Sequence, residues 1–318
     1  MHASKRNVEI AHSKTLTRSI PMRLHTLKRN LLKGSIITLS GLLLVPAFAQ
    51  EMTTEAVTDA IYVVQGNGGN VGVFVGDDGT FMIDDKFAPM SQGIITAIKS
   101  IGGEVPKYLL NTHFHGDHSG GNESFGHRGA TIVAHHNVHK RLAEGSVIAA
   151  FGMETPPAPD AALPVITFDS DIAFHINGER VRAFHVSHAH TDGDAVIHFE
   201  GSNVIHAGDI FFNGFFPFID AANGGSVQGV IDATNQILAI SDANTKIIPG
   251  HGPVASKDHL IAYRDMLVTA EARLSSLKAE GKTAKQAAAE TPLSDLEAQW
   301  GNGIFTSEKW IKVIYPGI

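Results

Sequence analysis

The segment Thr112-His113-Phe114-His115-Gly116-Asp117-His118 reads H-x-H-x-D-H and packs four metal-capable side chains into six residues. Imidazole and carboxylate are ligands for zinc and similar divalent cations. Alternate positions at a strand end share one face, so His113 and His115 can reach one ion, while Asp117 and His118, past the turn, can reach a second. Gly116, Gly120 and Gly121 supply a backbone that can fold tightly there. Three later places carry the same chemistry. His190 sits among carboxylates in Ser187-His188-Ala189-His190-Thr191-Asp192-Gly193-Asp194, Asp209 follows Gly208 where an apolar run stops, and His251 lies between Gly250 and Gly252. Histidine is frequent here, 18 of 318 residues, so an isolated pair carries no weight and only the clustered pattern does. The sequence contains no cysteine, so a metal site must be built from His, Asp and Glu, and no thiolate is available as nucleophile.

The segments that must position these residues alternate between strand and helix. Ala60 to Gln65, Val71 to Val75 and Thr80 to Asp84 are short and rich in Val, Ile and Phe, with Gly-Asn and Asp-Gly turns between them, which predicts an antiparallel meander. Asp84 or Asp85, at its end, is a candidate carboxylate for orienting a metal-binding histidine, or a plain turn residue. Met90 to Ile101 has helical spacing, and Lys107 to Asn111 is the strand that delivers the cluster. A helix is expected from His118 to Phe125, a strand at Thr131 to Ala134 and a helix over His135 to Glu144. His135, His136 and His139 there read as a solvated face rather than as ligands.

Strands follow at Ile172 to Ile176, Val181 to Val186, Ala195 to Phe199 and Asn203 to Ala207. Near His190, His185 and His188 are candidates for core or supporting groups, and Asp194 for orienting a ligand. Ser226 to Ile240 reads as a helix, Lys246 to Pro249 as the last short strand, and Asp258 onward as amphipathic helix with the stripe Leu260, Tyr263, Met266, Leu267, Ala270, Leu274 and Leu277. The alternation is that of a layered α/β domain. Phe211, Phe212, Phe215, Phe216, Pro217 and Phe218 follow Asp209 and read either as an apolar pocket wall or as core or dimer contact.

The first 49 residues read as a signal peptide outside the fold. Lys28, Arg29 and Lys33 precede an apolar run from Ile36 to Val45, and Ala47-Phe48-Ala49 forms a cleavage site before Gln50. That run is shorter than the roughly 20 residues a membrane helix needs, and Met22 gives a start with an n-region of ordinary length. Residues 50–318 then form one domain in the periplasm or outside the cell, without stable membrane insertion. The net charge of −7 excludes nucleic acid as a natural partner, since phosphate binding needs a positive surface. A small-molecule substrate is expected.

The H-x-H-x-D-H segment, His190, Gly208-Asp209 and Gly250-His251-Gly252 together resemble the metallo-β-lactamase superfamily in order and approximate spacing. The resemblance implies an αβ/βα four-layer sandwich with a dinuclear zinc site at one edge. It implies that His113, His115 and His190 hold one zinc, that Asp117, His118 and His251 hold the other, and that Asp209 bridges them. It further implies a hydrolase in which a metal-bridging hydroxide attacks the carbonyl of a β-lactam, lactone, ester or thioester, with Asp117 handling a proton. Asp209 stands where one large subclass of β-lactamases has a cysteine, and Ile210-Phe211-Phe212-Asn213 lacks the lysine those enzymes use for the substrate carboxylate. The alternatives on the same fold are an iron-dependent redox enzyme and a non-catalytic metal-binding protein.

Overall fold

The computed structural model describes residues 52–318, and the expected signal peptide lies outside them. Strand β1 (Thr53–Ala56), which the sequence reading did not anticipate, pairs antiparallel with β2 (Ile61–Gln65), and β2, β3 (Val71–Phe74) and β4 (Phe81–Ile83) form the expected antiparallel meander. Helix α1 (Ser91–Ser100) crosses to β5 (Tyr108–Leu110), which pairs parallel with β4. Helices α2 (Gly116–Ser119) and α3 (Asn122–Gly126) then lead to β6 (Thr131–His135), and α4 (His136–Glu144) follows it. A separate hairpin, β7 (Ser146–Ile148) with β8 (Met153–Thr155), precedes β9 (Ile166–Phe168), which completes a seven-stranded sheet in the order β1-β2-β3-β4-β5-β6-β9.

The second sheet has six strands in sequence order: β10 (Asp171–Ile176), β11 (Glu179–His185), β12 (Ala195–Phe199), β13 (Val204–Phe212), β14 (Lys246–His251) and β15 (Ala255–Ser256). Its one parallel pair, β13 with β14, is spanned by α5 (Val227–Ala239), while α6 (Lys257–Ala279) and the shorter α7 (Ala284–Ala289), α8 (Glu297–Trp300) and α9 (Ser307–Ile314) complete the chain.

Alternation along the strands divides the apolar residues among four layers. Ile61, Val63, Phe81, Ile83, Leu110 and Val133 of the first sheet face Val181, Ala183, Ile197, Phe199, Val204 and Ile248 of the second. Their neighbours Val64, Met82, Leu109 and Ile132 face outward onto Ile94, Ile95 and Ile98 of α1 and Phe125 of α3. On the far side, Val196, Ile205 and Ile247 pack beneath α5 and the stripe Leu260, Tyr263, Met266, Leu267, Ala270 and Leu274 of α6. Each such side chain contributes roughly 1.5–3 kcal/mol on leaving water, so the two sheets are pinned face to face with a helical layer outside each. This is the expected αβ/βα sandwich. No helix among the described residues is long and apolar enough to cross a membrane.

Two segments depart from the sequence reading. The helix expected over His118 to Phe125 is split: the Gly121 N–H donates to Asp85 Oδ1 at 2.8 Å and to Lys86 O at 3.1 Å, which takes it out of a continuous helix. The strand expected to stop at Ala207 runs on to Phe212, with register shifts against β14 around Gly208. Gly208 sits at φ +51°, and the resulting bulge turns Asp209 out of the ladder.

Candidate metal centre

The four sequence-distant places converge at one edge of the sandwich. β5 ends at Leu110 and releases His113, His115, Asp117 and His118. The loop between β11 and β12 carries His190, the bulge of β13 carries Asp209, and the end of β14 carries His251. Their ligand atoms form two clusters, His113–His115–His190–Asp209 and Asp117–His118–His251, within each of which the atoms lie within 4.8 Å of one another.

Asp209 reaches into both. Its Oδ1 lies 3.0 Å from His118 Nε2 and 3.4 Å from His251 Nε2, and its Oδ2 lies 3.5 Å from His190 Nε2 and 3.8 Å from His113 Nε2. Gly250 permits this approach: a Cβ built there would stand 2.0 Å from Asp209 Oδ1. The glycine before His251 therefore makes room for the carboxylate rather than for the histidine ring. Gly69 does the same for His118, since a Cβ there would fall 2.0 Å from the imidazole.

Hydrogen bonds behind the rings fix which nitrogen faces the centre. The Thr112 N–H and hydroxyl both donate to Asp84, each at 2.7 Å. With its proton spent there, Thr112 Oγ1 accepts from His113 Nδ1 at 3.0 Å. Asp84 Oδ2 accepts from His118 Nδ1 at 2.7 Å, the Phe218 carbonyl from His190 Nδ1 at 2.8 Å, and Asp220 Oδ2 from His115 Nε2 at 3.0 Å. Each of these four rings thus spends one nitrogen on this support and turns the other inward, the arrangement that supports a metal-binding histidine. His115 Nδ1 and His190 Nε2 then face each other at 2.8 Å, and two lone pairs at that distance call for a cation between them. Among the described residues, the buried His113 Nε2 and Asp209 Oδ1 have no hydrogen-bond partner. Orphaned inward donors of this kind, all oxygen and imidazole nitrogen, fit divalent metal.

The electrostatics divide along the same lines. Burial holds His113 well below its ordinary pKa and His190 down at about 4, against the pull of Asp209. Burial would also lower His118 and His251, but Asp209 and Asp117, with Asp84 beside His118, raise His118 well above its ordinary value and His251 to about 9. Burial would raise Asp209 and Asp117, yet the surrounding imidazoles hold Asp209 well below the carboxylate range and Asp117 at about 2.

Supporting residues are resolved one by one. Of Asp84 and Asp85, Asp84 backs the histidine. Asp194 accepts from the Thr191 N–H at 2.8 Å and hydroxyl at 2.6 Å, so it shapes the loop around His190 rather than touching the ring. His185 stacks on His135 at 3.7 Å, His188 Nδ1 pairs with the Gly224 carbonyl, and His139 Nδ1 with the Pro164 carbonyl. None of them joins either cluster. Sequence reasoning missed Asp220 and its support. Asn223 Nδ2 donates to Asp220 Oδ2 at 2.6 Å and to the Val147 carbonyl at 2.9 Å, and Arg141 bridges Asn223 and Asp192. The polar pair Asp220 and Asn223 stands next to an aromatic run, which is a weak sequence signal at best.

A cavity of about 280 Å³ opens onto the centre. The aromatic run divides here. Phe212, Phe215 and Phe218 line the cavity, whereas Phe211 packs on Tyr263 and Phe216 on Trp310 in the core. Both readings of that run hold, each for different rings.

The family model of the metallo-beta-lactamase superfamily matches residues 64–251, more than half of the chain and all seven of these residues. The chain belongs to this superfamily. Among solved structures of the superfamily fold, a metallo-beta-lactamase from Pontibacter korlensis aligns with a TM-score of 0.56 over 68% of this chain and 99% of its own, at 16% identity. DIM-1 metallo-beta-lactamase gives 0.56 over 69% and 98%, also at 16% identity. The stereoselective inverting sec-alkylsulfatase Pisa1 from Pseudomonas sp. gives 0.62 over 83% of this chain but 50% of its own, again at 16% identity. At such identity the likeness is one of fold. Superfamily members are mostly hydrolases, and this chain carries a His/Asp cluster of metal-binding type.

Proposed function

We propose that this chain is an exported dinuclear zinc hydrolase acting on the carbonyl of a small molecule: a β-lactam, lactone, ester or thioester. The observation that carries the reading is Asp209, whose two oxygens address two separate clusters of inward-facing imidazoles. A carboxylate so placed would offset the charge of two dications held by the two clusters. His113, His115 and His190 would hold one cation, Asp117, His118 and His251 the other, with Asp209 shared. A metal pair held by these residues would supply Lewis acidity and a nucleophile active at neutral pH.

The chain's own residues do the rest. Asp84, Thr112, Asp220 and the Phe218 carbonyl lock the imidazoles so that no reorganisation is needed during the reaction. Asp117 lines the cavity and stays ionised, held at about 2 by the histidines, so it can accept a hydrogen bond from the nucleophile and orient it. The aromatic wall excludes bulk water from one side.

Elemental analysis of the purified protein, paired with a panel of β-lactam, lactone, ester and thioester substrates, tests the reading. Two zinc ions per chain with turnover of at least one class is the expected result. Iron with visible absorption and no hydrolysis would assign redox chemistry instead, and bound metal without turnover a non-catalytic role.

A further inference from the structure

The cavity over the centre is chemically lopsided. At its floor stand Asp117, Asp209, His115 and His251, and every other lining side chain is apolar apart from Thr155. No lysine or arginine lines it. Lys86, close to Asp117, is fully buried, and its ammonium donates to the Gly69 carbonyl, so it faces away from any ligand.

The apolar wall begins at the histidines themselves. Phe218 stacks on His115 with ring centroids 5.6 Å apart, and Phe212 on His251 at 5.0 Å. Phe151, in the turn of the β7–β8 hairpin, continues the wall at 4.9 Å from Phe218. At the rim, Phe151, Met153 and Ile304 are 47%, 50% and 61% exposed. Large apolar side chains left in water around a mouth mark a surface meant to be covered by a ligand.

We infer that the substrate carries an uncharged, extended apolar group beyond its scissile carbonyl, seated between Phe218, Phe212, Phe151 and Ile304. This rests on the hydrolase reading above and narrows it: neutral acyl or lactone substrates with a long hydrocarbon part are favoured over compounds whose hydrocarbon part ends in a carboxylate. A carboxylate at the far end of that group would lose its hydration among apolar side chains, with no lysine or arginine in the wall to pair with. The apolar group meets aromatic rings from the first carbons onward.

The test uses the full chain loaded with zinc and a series of 4-nitrophenyl esters from acetate to decanoate, with the mono-4-nitrophenyl ester of suberic acid as the charged match to the octanoate. kcat/KM should rise by on the order of 2- to 4-fold per methylene until the chain outgrows the cavity. The octanoate should exceed the suberate ester by at least about 10-fold. Phe151→Ser and Ile304→Ser should each lower the octanoate-to-acetate ratio measured in the same protein. A flat or falling series, or a suberate ester as good as the octanoate, overturns the inference while leaving the hydrolase reading intact. Should no ester be turned over, the β-lactam, lactone and thioester panel decides the hydrolase reading, and calorimetric titration with butanamide and octanamide decides the subsite alone. Tighter octanamide binding, weakened in Phe151→Ser, upholds it, and equal binding of the two amides overturns it.

Discussion

The two halves of the centre are built differently. In the first, His113, His115, His190 and Asp209 are all at most 5% exposed, and each ring leans on an oxygen supplied by Thr112, Asp220 or the Phe218 carbonyl. In the second, only His118 is sealed. Asp117 and His251 are 25% and 24% exposed at the cavity mouth, and His251 rests on the Phe212 ring. Donors held by buried hydrogen bonds lose little freedom when they bind, whereas exposed ones must first be ordered. Under the dinuclear reading proposed above, this difference makes one half a rigid anchor and the other the working face, open to whatever enters beside the aromatic wall.

Asp209 is where the comparison can be broken outright, because it is the residue both halves share. Asp209→Ala should leave no more than one cation per chain after gel filtration and lower hydrolysis by at least about 100-fold, more than loss of a supporting residue costs. Two cations retained in this variant would mean that the halves bind independently and that the spanning carboxylate is incidental.

A smaller effect should sharpen it. Competition with a chelator should resolve two dissociation steps, the weaker belonging to the half that contains His251. Asp220→Asn, which disturbs only the support of His115, should weaken the tighter step by about 10- to 100-fold and leave the other in place. Asp84→Asn should shift both, because Asp84 holds His118 directly and His113 through Thr112. A variant pattern in which Asp220→Asn moves both steps equally would erase the distinction between anchor and working face.

The same contrast explains what the sequence disclosed. Six of the seven residues were legible because a strand end and a glycine-flanked turn advertise them locally: H-x-H-x-D-H, Gly208-Asp209 and Gly250-His251-Gly252 each concentrate the signal in a few positions, and His190 stood out only as a histidine among carboxylates. The inner and outer apolar faces were legible from alternation, as in Ile61, Val63 and Val64 of β2. What stayed hidden was contact across long separations. Asp220 lies 105 residues from His115, and nothing near either announces the pairing. The bulge that lets β13 run past Asp209 depends on its register against β14, which no local pattern encodes. The split of the aromatic run into wall and core likewise follows from which side of the irregular segment each ring leaves, not from composition.

Proton release upon metal binding gives the finest reading of the comparison. Ligands must be deprotonated to bind, so a half whose histidines carry protons before loading must shed them. In the second half the carboxylates hold His118 well above its ordinary value and His251 at about 9, so both are protonated at pH 7. In the first, His113 lies well below its ordinary value and His190 at about 4, and both are already neutral there. Asp117 at about 2, and Asp209 held low, are ionised throughout. Calorimetric zinc titrations at pH 7 in buffers of different ionisation enthalpy should therefore show the weaker step releasing about two protons, with no contribution to the tighter step from His113 or His190. The sign follows: raising the pH through 9 removes the proton competing at His251, so the apparent affinity of the weaker step climbs and its proton release falls. Equal proton release in the two steps would mean that the two halves share one electrostatic environment, and that the exposed half is not the one whose charge is waiting to be replaced.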